Sequence, residues 1–267
     1  MVSTSVPRGC PFLLDDWPVL HLDNHLLALY KPAGLLVQGD ETGDPCLLDL
    51  ARDWIKAKYA KPGRVFLGMV HRLDRPVAGV LLFARTSKAA ARLGEQFRTG
   101  AVDKRYLAIV EGRIRDDEGR LVHRLERGDN RSTRILEDDH AGGQEARLSY
   151  RVLDRSESQS LLEVALETGR RHQIRVQLAH AGHPIVGDLR YGAAAPLPSA
   201  QIALLARELT ILHPTLKTTL SLRSPRPSGW PWPRSEAEPA SPPWNWIEVL
   251  GRLRAHRGAI LVEAENK

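Results

Sequence analysis

Strand-like and helical runs follow one another along this chain without a regular β-α-β rhythm, and this irregular order restricts its fold most. The apolar run 79–84, bounded by glycine, suits a buried strand, and 104–112 is again strand-like. The segments 148–154 and 161–169 are typical of two strands of an antiparallel pair. Because a doubly wound fold needs strands and helices in regular alternation, the order predicts an α+β fold instead.

Three segments show the helical spacing of apolar residues. One is 44–60; in a second, 86–100, apolar residues recur every four positions and Gly100 is placed to stop the helix. The third, 170–183, has a similar spacing and ends at Gly182. Segment 25–40 is predicted to form a strand, a turn and a second short strand. Segment 113–147 is predicted to form hairpins and loops, and segment 203–214 closes the core.

Composition indicates a globular protein and favours a polyanionic partner, although many basic proteins have none. It has 267 residues and a net charge of +6, with 42% hydrophobic and 26% charged residues. That permits a substantial core and favours nucleic acid or an anionic membrane face as a partner. No apolar stretch reaches about 18 residues, the N-terminus lacks a secretory pattern, and Cys10 and Cys46 show no metal or redox spacing. We therefore expect a soluble cytoplasmic protein without disulfide bonds.

Several common chemistries have no motif in this chain. The phosphate-binding loop of NTPases, the dinucleotide fingerprint and the nucleophile elbow of α/β-hydrolases do not occur. His180 and His183 are three residues apart on an expected helix, but no cysteine or carboxylate accompanies them at ligand spacing. The sequence therefore predicts no metal and no organic cofactor.

A charged loop directly precedes the strand at 79–84. The stretch "VHRLDRPVAGVLLFART" (70–86) places Asp74 between Arg72 and Arg75. This arrangement has two readings: a surface turn held by salt bridges, or a single catalytic carboxylate that arginine keeps ionised. The loop alone does not decide between them.

Four separated motifs together resemble the RluA-type family of pseudouridine synthases. They are "YKPAG" (30–34), "HRLDRPVAG" (71–79), "DKRYLAIVEG" (103–112) and "TGRRHQIRVQLAHAGHPIVGD" (168–188). They occur in the family's order, and the resemblance runs from about residue 15 to about residue 222. It implies a mixed, largely antiparallel sheet flanked by helices and loops, with an RNA-binding cleft.

The resemblance implies an isomerase that converts uridine to pseudouridine in RNA. Such enzymes break the bond from C1′ to N1 of uracil, turn the flipped-out base and rejoin it through C5. By motif position, Asp74 would be the essential carboxylate, Tyr106 would lie against the uracil, and Arg175 would pair with Asp74. Arg72 resembles the arginine that helps to displace the target base.

Other motif residues would bind RNA or shape the site. Phosphate or substrate contacts are expected of Lys104, Arg105, Arg170 and Arg171. Structural roles are expected of Lys31, Pro32, Gly169, His172, Gln173 and Asp188, the last in a turn or an ion pair. Val77, Ala78 and Gln177 depart from the family, where Thr, Ser and His respectively are usual.

Physical chemistry explains why an arginine should accompany a single acid. A free Asp has a pKa near 3.9, which burial under RNA raises by about 3 to 5 and a close arginine lowers by about 1 to 3. Uracil can delocalise the charge left on N1 and no water takes part, so one carboxylate is enough, unlike the pair in glycosidases. Whether Asp74 attacks C1′, attacks C6 or removes the 2′ proton stays open at this stage.

The chain is expected to divide into a catalytic domain, 15–222, and a Pro- and Trp-rich linker with a C-terminal helical extension, 223–267. We expect no small N-terminal RNA-binding domain, which many relatives have, because residues 1–14 are too few for one. We expect the extension to pack on the core and to present arginines outward. Its relevant residues are Trp230, Trp232, Trp244, Trp246, Arg252, Arg254 and Arg257.

Two other functions were compatible with these features: an RNA-binding or chaperone protein on the same fold with vestigial catalysis, and a metal-dependent nuclease or hydrolase. The intact set of Asp74, Tyr106 and Arg175 favours the synthase. The expected partner is structured RNA, either tRNA or rRNA, and the expected state is a monomer.

Overall fold

The computed structural model describes residues 19–129, 132–136, 142–232 and 242–252. Its strands are β1 (Val19–Leu22), β2 (Leu26–Lys31), β3 (Gly68–Met69), β4 (Ala78–Ala84), β5 (Asp103–Glu111), β6 (Glu118–Arg127), β7 (Thr133–Leu136), β8 (Gln144–Arg155), β9 (Gln159–Leu166), β10 (Leu204–Leu212) and β11 (Thr219–Arg223). Its helices are α1 (Leu47–Lys58), α2 (Ser87–Thr99) and α3 (Gln173–His180), and residues 246–252 are also helical.

The described strands form one mixed sheet in the order β1-β2-β4-β10-β5-β9-β8-β6-β7, with β3 paired to β4 and β11 to β10. Every pairing among them is antiparallel except that of β4 with β10. The predicted α+β fold with a largely antiparallel sheet is therefore confirmed. The polar segment 113–147 contains the β6–β7 hairpin, as expected for this stretch.

Strand β4 is buried over its whole length, because none of its seven residues is exposed. Its second residue, Gly79, has a φ of +125°, and a Cβ there would lie 2.2 Å from the carbonyl oxygen of Ala206 in β10. Only glycine allows β10 to approach this closely. The charged loop that precedes β4 is thereby fixed beside strand β10.

The predicted helices are present, and the ends of α2 follow the sequence signals. In α2 the Thr86 hydroxyl accepts a hydrogen bond from the backbone N–H of Ala89 (3.1 Å), and Gly100 ends the helix with a φ of +75°. Helix α3 is short and almost wholly buried, including the polar side chains of Gln173, Arg175 and Gln177. No helix in the described part of the chain is long and apolar enough to cross a membrane.

The second strand expected within 25–40 does not form. Leu35 and Val37 are buried in the core, and the carbonyls of Leu36 and Val37 accept hydrogen bonds from the first turn of α1 (2.8 and 3.0 Å). Helix α1 therefore occupies the carbonyl groups that a neighbouring strand would need as hydrogen-bond acceptors.

The C-terminal segment packs on the sheet, as the sequence predicted. Trp230, Trp232 and Trp244 are buried in the main hydrophobic core. The Tyr30 hydroxyl donates to the carbonyl of Pro243 (2.8 Å), and backbone hydrogen bonds join Ala33 to Trp244 (2.9 Å) and to Trp246 (2.7 Å). The start of the expected linker is thus part of the core.

The expected outward arginines of this segment are only partly observed. Arg252 is half-buried, and Arg254 and Arg257 lie outside the described residues. The boundary between a catalytic domain and an extension stays a prediction.

We expect Trp244→Ala to lower the free energy of unfolding by about 3–5 kcal/mol, because it empties a large site in the core. The control is Ile247→Ala in the same segment, which is 54% exposed and should change stability by about 0.5 kcal/mol or less. Urea denaturation of both variants measures the difference. Equal stabilities would show that the segment does not contribute to the core.

Candidate active site

A cleft of about 1520 Å³ opens where the loop before β4, strand β5 and the segments around α3 meet. Asp74, Tyr106 and Arg175 all line this cleft, together with Arg72, Arg170 and Arg171. Asp74 and Arg175, which are in contact, are 101 positions apart in sequence. The fold therefore brings most of the predicted site residues together.

Asp74 lies on the loop before β4 with its side chain 27% exposed. The Arg175 Nη1 donates to its Oδ2 at 3.0 Å, which is the contact expected from the sequence. The backbone N–H of Val77 donates to the Asp74 carbonyl (3.0 Å) and closes the turn that leads into β4. The carboxylate is thus held at the cleft surface by one charged donor and a fixed backbone.

The guanidinium of Arg175 forms ion pairs with two carboxylates. Its Nε and Nη2 donate to Asp188 at 2.7 and 2.9 Å, and Nη1 donates to Asp74. Burial by itself would lower the pKa of Arg175, but the hydrogen bonds and charges of Asp188 and Asp74 raise it above its ordinary value. The sequence assigned Asp188 to a turn or an ion pair, and the structure shows the ion pair, which is bidentate and buried.

Tyr106 and Lys104 lie on the same face of β5 and line the cleft, because they are two residues apart in a strand. Burial and the nearby charge of Asp74 strongly raise the pKa of Tyr106, so its phenol is neutral. Burial and the charge of Arg170 lower the pKa of Lys104. The aromatic ring and the ammonium group therefore occupy one wall of the site.

Arg105 does not join them. It lies between Lys104 and Tyr106 on the opposite face of β5, with its Nε 3.1 Å from Asp103 and its Nη1 4.0 Å from Glu163. It is absent from the residues that line the cleft. The adjacent Lys104 and Arg105 were both predicted to bind RNA, but side chains alternate between the two faces of a strand, so only Lys104 reaches the cleft.

Lys31 fixes the backbone beneath the site. Its buried ammonium donates to the carbonyls of Pro32 (3.0 Å), Leu35 (2.8 Å) and Arg75 (3.1 Å). Burial lowers the pKa of Lys31 to about 7, against the opposing attraction of Asp74. This agrees with the structural role expected for the 30–34 motif.

Arg75 and Gly34 join the same turn to the charged loop. The N–H of Gly34 donates to the Arg75 carbonyl (2.7 Å), and the Arg75 Nε donates to the Gly34 carbonyl (2.9 Å). Arg75 also pairs with Asp44 at 2.6 Å. Of the two arginines that flank Asp74 in sequence, Arg75 therefore ties down the loop, whereas Arg72 is exposed in the cleft.

The positions that depart from the family are buried, and Oε1 of Gln177 has no hydrogen-bond partner among the described residues. Val77 and Ala78 are buried in the main core, where hydroxyl groups would need partners. The Gln177 amide donates to the carbonyls of Leu121 (3.3 Å) and Ala146 (3.1 Å) and so ties α3 to the β6–β8 part of the sheet.

One functional candidate was not identified from the sequence. The Tyr191 hydroxyl lies 2.7 Å from the His172 Nδ1, and the Tyr191 ring faces the Arg175 guanidinium at 5.0 Å. The only signal for it was its position three residues after Asp188. Nothing in the sequence alone indicated that its ring would reach two motif residues.

A group of metal-ligand types among the described residues lies away from the cleft. His21, Asp23 and His213 converge, with Asp23 Oδ2 at 2.8 and 2.9 Å from the two imidazoles. The Nδ1 of His213 accepts hydrogen bonds from the backbone N–H groups of Thr215 and Leu216, so the proton of this neutral imidazole is on Nε2 and points at Asp23. A neutral His213 in this setting has no free lone pair for a cation.

Comparison with known proteins agrees with this geometry. Residues 25–180 match the family of RNA pseudouridylate synthases. The chain is 35% identical to ribosomal large subunit pseudouridine synthase D of Xylella fastidiosa, over 84% of this chain and 69% of that protein. It is 34% identical to the dual-specificity RNA pseudouridine synthase RluA of Haemophilus influenzae, over 77% of this chain and 91% of that protein.

Solved structures of related proteins share the fold. The structure of human RNA pseudouridylate synthase domain containing 4 superposes with a TM-score of 0.67 at 27% identity, covering 79% of this chain and 89% of that one. Three observations lead to one assignment. They are the cleft with its arginine-paired carboxylate, the family match over residues 25–180 and the similarity to these relatives. The chain belongs to the RluA-type family of RNA pseudouridine synthases, which are isomerases.

Proposed function

We propose that this enzyme isomerises specific uridines of structured RNA on a flipped-out base, with Asp74 as its one essential carboxylate. The observation that carries the proposal is the contact of Asp74 with Arg175, which is itself locked by Asp188. The same cleft holds a neutral tyrosine and several basic side chains. These are the groups that a reaction on an RNA base requires.

The ion pair keeps Asp74 charged when RNA covers the cleft. Removal of water disfavours a carboxylate, and the Arg175 guanidinium opposes that effect at 3.0 Å. Arginine holds its proton at any working pH, so it cannot neutralise the acid by proton transfer. Because Asp188 takes the Nε edge of Arg175, the Nη1 group stays directed at Asp74.

The reaction needs charge stabilisation but no second acid of the glycosidase type. The C1′–N1 bond breaks, C5 of the turned uracil bonds to C1′, the proton on C5 leaves, and N1 gains a proton. Atoms and charge therefore balance within the substrate and its proton exchange. Attack on C1′, attack on C6 and removal of the 2′ proton all require a charged Asp74 at this position.

Tyr106 supplies a surface for the extruded base. Its phenol is neutral because burial and Asp74 raise its pKa, so its ring presents no charge to the uracil. Stacking on an aromatic ring contributes about 1–3 kcal/mol, which offsets the few kcal/mol needed to unstack the uridine. We assign Arg72, exposed on the same loop as Asp74, to the space that the base leaves.

We assign phosphate binding to the basic residues at the rim of the cleft. Lys104, Arg170 and Arg171 line the cleft, and the Arg170 Nε donates to the carbonyl of Glu145 (3.0 Å), which fixes the start of its side chain. Burial and, after it, repulsion by Arg170 lower the pKa of Lys104, and an anion placed between the two cations relieves that repulsion. A polyanionic backbone is therefore a good match for this rim.

We further propose ribosomal RNA as the first substrate to test, with tRNA as the second. The support is that relatives carry the names ribosomal large subunit pseudouridine synthase D and C, and that another is named dual-specificity. A location in the cytoplasm and a monomeric state stay predictions.

Asp74→Asn should abolish pseudouridine formation, because an amide cannot act as nucleophile or base, while RNA binding stays within about twofold. The measurement is carbodiimide-adduct primer extension across ribosomal RNA and tRNA from a deletion strain that carries wild-type or variant protein. The control is Asp53→Asn on the exposed face of α1, which should restore the same stops as the wild type. Identical stops with the wild type and Asp74→Asn would support an RNA-binding protein with vestigial catalysis.

Lys104→Ala and Arg105→Ala separate the two faces of β5. Lys104→Ala should weaken RNA binding by about 3- to 10-fold and reduce the slope of log affinity against log salt by about 1, because a phosphate contact is lost. Arg105→Ala should change affinity by less than about twofold. Filter binding at several salt concentrations tests both variants. An equal loss in both would return Arg105 to the RNA-binding set.

A further inference from the structure

His172 lies at the start of α3 in a backbone conformation that few residues adopt. Its φ is +52° and its ψ is +19°, which is the left-handed region, and its side chain is only 9% exposed. A non-glycine residue in this region costs about 1–2 kcal/mol. The surrounding contacts must hold the residue there, which directs attention to what its imidazole does.

The two ring nitrogens of His172 face different groups. Nδ1 lies 2.7 Å from the Tyr191 hydroxyl, whose oxygen accepts a hydrogen bond from the backbone N–H of Thr133 in β7 (3.0 Å). Nε2 faces Oδ2 of Asp74 at 3.6 Å, about 0.4 Å beyond the usual upper limit for a hydrogen bond.

Both sides favour the same tautomer. If Nδ1 carried the proton, the Tyr191 oxygen would meet two N–H donors, and its own proton could go only to the hydroxyl of Thr133 among the described contacts. A bare Nε2 would also direct its lone pair at the carboxylate of Asp74. With the proton on Nε2, the Tyr191 hydroxyl donates to Nδ1 and an N–H group faces Asp74.

Burial, together with the neighbouring arginines, keeps this imidazole neutral. Burial lowers the pKa of His172 to about 4, and the guanidinium groups of Arg175, Arg171 and Arg190 act in the same direction. Asp74 opposes them but does not prevail. Near neutral pH the ring therefore carries a single proton and no charge.

We propose that His172 is a positioning residue for Asp74, a neutral imidazole that Tyr191 holds with its N–H on Nε2. This inference rests on the proposed role of Asp74. The neutral N–H group faces the carboxylate of Asp74 at 3.6 Å beside Arg175, and like Arg175 it does not give its proton to the carboxylate at working pH. A protonated histidine at the same position could transfer a proton to Asp74 and remove its charge.

The tautomer can be observed without any assay of activity. Long-range ¹H–¹⁵N NMR of the ¹⁵N-labelled full-length protein at pH 7.5, with His172 assigned from the His172→Gln variant, should show the proton on Nε2. Two internal controls have the opposite tautomer: His71, whose Nε2 accepts from the backbone of Leu82, and His183, whose Nδ1 donates to the carbonyl of Glu111. A proton on Nδ1, or a charged ring, would overturn the proposal whether or not the enzyme forms pseudouridine.

Tyr191→Phe tests whether the Tyr191 hydroxyl fixes the tautomer of His172, since it keeps the ring beneath Arg175 and removes only the hydroxyl. The lost hydrogen bond stabilised the unprotonated Nδ1, so the pKa of His172 should rise toward its ordinary value. The activity of this variant should then fall at a higher pH than that of the wild type as the solution is acidified. An unchanged pKa of His172 in an NMR titration would exclude the role of Tyr191.

A matched pair of variants separates positioning from packing. His172→Gln keeps an N–H donor and His172→Leu does not, and both place an unbranched-Cβ side chain in the left-handed backbone. His172→Leu should lower kcat by about 10- to 100-fold with KM for RNA within about twofold, and His172→Gln should recover most of kcat. Equal kcat values at equal stability would assign the residue to packing alone. If neither these variants nor the wild type forms pseudouridine, the proposed function fails and the NMR result still decides the tautomer.

Discussion

The site depends on the ion pairs that the guanidinium of Arg175 forms with Asp188 and Asp74. The guanidinium is buried on α3, so it must be paired, and it reaches Asp188 with two hydrogen bonds and Asp74 with one. Asp188 satisfies one edge and fixes the plane of the group, which leaves Nη1 directed at the cleft. The partly exposed Asp74 is thereby attached to the core of the protein through a charge that cannot be removed.

The backbone beneath Asp74 is held just as firmly. The buried ammonium of Lys31 binds the carbonyl of Arg75, and Gly79 lets β10 approach β4 within a distance that no side chain allows. The loop between these points therefore has little freedom to move. A site that must orient one carboxylate against a sugar and a base gains its accuracy from such rigid supports.

Much of the fold followed from local signals. The buried strand at β4, the capped α2 with its glycine stop and the β8–β9 pair were all predicted from apolar spacing and turn residues. The second strand within 25–40 was predicted and does not form, because α1 uses the backbone groups of Leu36 and Val37. Competition of this kind depends on which elements meet, and a local pattern does not contain that information.

The sequence by itself determined the residue types of the site: an acid between arginines, a tyrosine on a strand and a basic helix start, in an order that resembles one family. The tertiary structure decided which of them meet. It separated Arg105 from Lys104 by the alternation of β5, gave Arg75 a role in the loop and left Arg72 in the cleft, and brought Tyr191 to His172. The physical reason is that residue type sets what a group can do, whereas distance and burial set whether it does so, and both arise only when strands and helices pack.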